Sequence, residues 1–173
     1  MTGAVFRNII RFVVFALVQG LLLKRVEFSG TFFEHIHVFI YPLFILLLPL
    51  RTPTAAVIGL SFLIGITVDL FYLTIGVHAA AATAAGFFRQ GVLAFLQPRG
   101  GYDLTYSPTA RRMGTPWFLR YAAMLLAFHL FWYFSVEAFT FVYIVDILAD
   151  TVVSFGFSLL FVMVYMAVFS PLE

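Results

Sequence analysis

The chain has 173 residues, 63% hydrophobic and 10% charged, with a net charge of +2 and a mean hydropathy of +1.05. A soluble domain of this size carries about a quarter charged residues, so this composition lacks the polar surface to face water and points to a single-domain polytopic membrane protein. The ten Lys and Arg are scattered, which excludes a continuous basic groove for nucleic acid, and the absence of cysteine excludes disulfides, thiolate chemistry and cysteine-ligated zinc.

Arg7 and Arg11 lead an apolar run over about 9–23. No small-x-small cleavage site follows it, only Lys24-Arg25, so the expectation is a retained first helix rather than a signal peptide. The run is short against the ~20 residues of a span, although the arginines can snorkel and lengthen it. Residues 24–35 are polar enough to leave a bilayer, and Phe28, Phe32 and Phe33 suit its interface. The second segment, 36–50, contains Pro42 and Pro49, so a re-entrant or tilted helix stands beside the reading of a full span.

The third helix, 54–73, opens favourably at Pro53-Thr54, and Thr74-Ile75-Gly76 makes a turn in which Gly76 can take a positive φ. The fourth, 77–96, carries the small-residue run AAAATAAG over 79–86. Ala79, Ala82 and Gly86 on this helix, with Gly59 and Gly65 on the third, let another backbone approach closely; they predict tight packing of the two helices and are also the candidates for packing against the helix of a partner. Residues 97–116, with Arg111 and Arg112, read as a Pro/Gly-rich loop, followed by an aromatic helix over 117–136 and a long last helix over 144–169. Six spans with the N-terminus inside would place Arg7, Arg11, Arg51, Arg99, Arg111, Arg112 and Arg120 on the inner face, against Lys24 and Arg25 outside.

Asp69 lies near the outer end of the third helix, where a carboxylate in a bilayer needs a partner. One reading is a proton or cation site. The preferred one is structural: the carboxylate accepts hydrogen bonds from the free N–H groups that open the next helix. Asp146, Asp150, Ser154 and Ser158 recur every four residues and share a stripe of the last helix. They line a polar path or, as preferred, bond to neighbouring helices. His129, Tyr133 and Glu137 form a second stripe, either a proton relay or interfacial anchors, and Arg89 could meet an acid of either stripe. Glu34-His35-x-His37 makes a poor metal set, because His at i and i+2 do not share a helix face. Arg111-Arg112 reads as attraction to anionic lipid or as a docking site for a partner.

The middle of the chain carries a further pattern. Arg51-Thr52-Pro53 precedes an apolar helix with Gly59 and Gly65, then Asp69, then Gly76 and a small-residue helix. Over 50–89, and in hydropathy along its whole length, the chain resembles the rod shape-determining protein MreD family. The resemblance implies an all-α fold of six transmembrane helices, similar to the substrate-binding S-components of energy-coupling-factor transporters. It also implies a non-catalytic role in the bacterial inner membrane. There, members of that family work with MreC, MreB, RodA and a penicillin-binding transpeptidase in lateral peptidoglycan synthesis and cell shape. By position Asp69 and Gly76 match the family's aspartate and glycine, whereas the family's polar position in the last helix could be Asp150 or Ser154. The expected activity is therefore that of a scaffold binding a single-span, MreC-like partner, with both termini cytoplasmic. The rival expectation is a small-molecule-binding transporter subunit.

Overall fold

The structure, a computed structural model, describes residues 2–25 and 36–169. Its elements are helical throughout: α1 (Thr2–Leu17), α2 (Pro42–Leu46), α3 (Thr54–Tyr72), α4 (Val77–Phe95), α5 (Ala110–Met113), α6 (Thr115–Ala138) and α7 (Ile144–Phe169). The first helix runs on through a π turn at Val18–Leu22 and a 3-10 turn at Leu23–Arg25. Four stretches, Val5–Leu22, Thr54–Tyr72, Thr115–Ala138 and Phe141–Phe169, are long and apolar enough to cross a membrane. This is the pattern of a multi-pass membrane protein. The 19 residues of α4 match α3 in length, but α4 carries His78, Arg89 and Gln90 and packs between α3 and α6.

The bundle has one strongly basic end. Arg7, Arg11 and Arg51 line a common cavity there with residues 105–107, and Arg111 meets Met163 and Met166 near the end of α7. At the opposite end Lys24 Nζ donates to the carbonyl of Phe71, close to the last turn of α3. These contacts make α1 and α3 run in the same direction, and α4, α6 and α7 alternate after them.

The segment expected to be a helix over 36–50 is not one. Residues 36–40 form no helix, and α2 that follows has five residues. Pro42 has no N–H for a helix arriving from its N-terminal side and Pro49 halts one going forward, so little more than a turn fits between them. The segment nevertheless lies at the centre of the molecule, with every residue from Tyr41 to Leu48 buried. It passes from the middle of α7, where His37 meets Ser154, to the basic end, where Leu50 N–H donates to Tyr106 O. The expected loop over 97–116 also contains a short helix, α5, which carries Arg111 and Arg112.

Candidate functional site

Two polar constructions organise the interior, and the first is the turn between α3 and α4. The helix α3 ends on Leu73 in the left-handed region (φ 58°), and Gly76 (φ 81°) opens α4 without a side chain to cap it. The free N–H groups of that first turn are therefore in want of acceptors, and Asp69 supplies them. Its Oδ1 accepts from His78 N–H at 3.0 Å, from the Thr74 hydroxyl at 2.5 Å and from His78 Nδ1 at 3.0 Å. Its Oδ2 accepts from Ala79 N–H at 2.9 Å. The carboxylate is 2% exposed, and its charge faces the positive end of α4. Donation from Nδ1 fixes the His78 tautomer and leaves Nε2 as a buried acceptor with no hydrogen-bond partner among the described residues. Around that ring stand Phe39, Tyr41, Tyr72 and Tyr133.

Close packing continues this hairpin. A Cβ added to Gly65 would lie 2.5 Å from Ala79 Cα, and one added to Gly86 would collide with the Ser61 side chain. Ala79 faces Gly65 in this seam, and Ala82 is buried as well. The tight packing of α3 on α4 expected from these small residues is thus present. Gly65, Ala79 and Gly86, also candidates for a partner helix, meet neighbours within the chain instead. Gly59 is different, with open space around it.

The second construction holds the irregular segment. Non-helical backbone in an apolar bundle has no ladder of its own, so its polar groups must find side chains. Ser154 Oγ accepts from His37 N–H at 3.1 Å, and Ser158 Oγ from Phe39 N–H at 2.9 Å. From the other side the buried Gln19 accepts from Ile40 N–H at 2.9 Å and donates to Val38 O at 3.1 Å. Past α2, Tyr121 donates to Leu46 O, while Arg89 donates through Nη2 to Leu48 O at 2.5 Å and through Nε to Tyr121 Oη at 2.9 Å. The serine stripe of α7 and the lone arginine of α4 thus satisfy one irregular stretch of backbone.

Other expected sites are distributed differently. His129 Nε2 bonds the Tyr41 hydroxyl at 2.9 Å, while Glu137 accepts from Tyr133 at 3.1 Å. The second stripe therefore splits between two partners instead of forming one relay. Asp146 is exposed and Asp150 half-buried on the first turns of α7. The contact imagined between Arg89 and an acid is replaced by the Leu48 carbonyl and the Tyr121 hydroxyl. Glu34 and His35 lie outside the described residues, and the ring of His37 packs on Phe134. Arg111 is exposed, and Arg112 stacks 3.9 Å over the Tyr106 ring. Asp103, in the loop before α5, is held below the usual carboxylate range by the hydroxyl and N–H of Thr105.

On the outer surface of α3, α4 and α6 runs an apolar groove of about 920 Å³. Ala80, Thr83 and Ala84 form its floor, and Phe62, Phe87 and Trp132 are among its walls.

The chain matches no family model, and no curated protein or solved structure is significantly similar to it.

Sequence reasoning placed the His78 N–H at Asp69 but passed over the His78 ring, Gln19, Tyr41 and Tyr121. A signal existed for Gln19, a single amide amid the apolar run of the first helix, and for His78, two residues past the Gly76 turn. Both lie where a polar group has no water to bond.

Proposed function

We propose that this chain is a non-catalytic membrane scaffold of the MreD type, binding the transmembrane helix of a single-span, MreC-like protein. In this reading it sits in the bacterial inner membrane with both termini cytoplasmic. It makes six traverses, one of them the irregular 36–50, in an arrangement like that of the S-components. Through its partner it helps to organise RodA, a penicillin-binding transpeptidase and MreB in lateral peptidoglycan synthesis.

The observation that carries the proposal is the groove. Its floor runs along α4 from Ala79 to Phe88, about 13 Å at 1.5 Å per residue, which suits two to three turns of a docked helix. Alanines on the floor permit close backbone approach, the main source of helix affinity in lipid, and the aromatic walls supply contact area. The basic end of the bundle supports the proposed sidedness, since cationic residues favour the cytoplasmic face. Ala84→Leu and Ala80→Leu fill the floor without entering the α3–α4 seam. Each is expected to reduce co-purification of the single-span partner several-fold, with expression and melting temperature retained. Full partner yield from both variants would remove the groove as the docking site.

The rival reading, a small-molecule-binding transporter subunit, draws on one feature, the unpartnered His78 Nε2 inside a ring of aromatic side chains. A ligand that raises the melting temperature of wild type but not of His78→Phe would favour it over the scaffold.

A further inference from the structure

We infer that the basic end of the bundle holds a binding site for a phosphate group. The site is a cavity of about 230 Å³ whose lining includes Arg7, Asn8 and Arg11 from α1, Arg51 from the turn before α3, and Thr105 and Ser107 from the loop before α5. Three separate stretches of chain thus bring cationic and polar groups to one place, and the described lining residues include no carboxylate. Guanidinium groups match phosphate oxygens in charge and in the spacing of their N–H donors, which makes arginine the side chain suited to this ligand.

Two observations separate this cavity from a chance gathering of surface arginines. Ser107 is 5% exposed and lines the cavity, and its hydroxyl bonds no other described residue, which leaves it available to an acceptor there. The frame is also held in place: Leu50 N–H donates to Tyr106 O at 3.0 Å, tying the Arg51 turn to the loop, and Arg112 stacks on Tyr106 from outside. The nearby Asp103 is occupied by the Thr105 hydroxyl and N–H. Arg51 and Ser107 therefore have settled positions before any ligand arrives, which lowers the ordering cost of binding.

The ligand is a phosphate monoester or diester, and its source is either the headgroup of an anionic lipid or a free phosphate compound. The inference does not depend on the scaffold reading. Native mass spectrometry of the full chain in detergent tests it, with phosphatidic acid, diacylglycerol and inorganic phosphate as probes. Phosphatidic acid should be retained and diacylglycerol should not. Arg51→Gln should weaken retention about fivefold, the effect of one basic residue near an anionic surface. Ser107→Ala should weaken it less, and Arg99→Gln, in the exposed part of the loop, should leave it unchanged. Competition by inorganic phosphate assigns the site to free phosphate, and retention of the lipid against it assigns the site to a headgroup. Either result supports the inference. Equal retention by the Arg51→Gln, Ser107→Ala and Arg99→Gln variants overturns it, as does equal retention of phosphatidic acid and diacylglycerol with no binding of inorganic phosphate. A melting temperature measured without lipid identifies any variant that has lost its fold, and Ser107→Ala, the smallest change, then decides.

Discussion

Asp69 serves four donors with two oxygens, and each donor belongs to the turn or to the first residues of α4. Removing the carboxylate leaves two buried backbone N–H groups without acceptors, at about 1–3 kcal/mol for each unsatisfied group. Asp69→Ala is therefore expected to lower stability by roughly 3 kcal/mol or more and to reduce the folded yield. Asp69→Asn keeps one acceptor oxygen but turns an NH₂ toward Ala79 N–H, so its loss should be smaller. Thermal unfolding of the three proteins in detergent checks the order. Equal damage from Asn and Ala would mean that the charge itself matters, and would revive an ion-binding role. The position of Asp69 was legible in the sequence, because the acid, the Gly76 turn and the small-residue helix lie within one short stretch. The aromatic cage around the His78 ring was not, because most of it comes from two distant parts of the chain, Phe39 and Tyr41 from one and Tyr133 from the other.

At the scale of elements, the α3–α4 seam rests on missing side chains. Gly65 faces the backbone of Ala79, which cannot rotate away, so Gly65→Ala must push two helices apart at a cost of about 1–3 kcal/mol. Gly59, on the same helix and with nothing near its missing Cβ, should behave in the opposite way. Gly59→Ala gains helix propensity, up to ~1 kcal/mol, and should raise the melting temperature slightly. Paired melting curves of these variants in one detergent provide the check, and a stabilising Gly65→Ala would contradict the seam. The glycine and alanine pattern made the packing of α3 on α4 legible, but not that this packing would engage residues also open to a partner helix. Small residues suit a neighbour within the chain and a partner helix equally well. Segment 36–50 was less legible still. Its prolines forbade a long helix, yet the acceptors that allow non-helical chain there lie far away in sequence, Ser158 being 119 residues from Phe39. Period and propensity are local signals and carry nothing about such a bond.

Across the whole molecule, the basic end and the irregular central segment are complementary features. The arginines gather where chain segments emerge, while Gln19, Ser154, Ser158, Tyr121 and Arg89 act deeper, as substitutes for the missing ladder of the 36–48 backbone. That arrangement constrains the order in which the protein can be made. A helix can enter lipid as soon as it is synthesised, because its backbone is already satisfied, but non-helical residues cannot. Residues 37 and 39 have no acceptors until α7 exists, so an early part of the chain must wait, sheltered from lipid, for the last part to be translated. A chain ended after Tyr143 should therefore expose 36–40 to protease in membrane vesicles and be degraded quickly. Co-expression of α7 as a separate peptide should restore protection. The early chain finishes its insertion only when its C-terminal helix arrives.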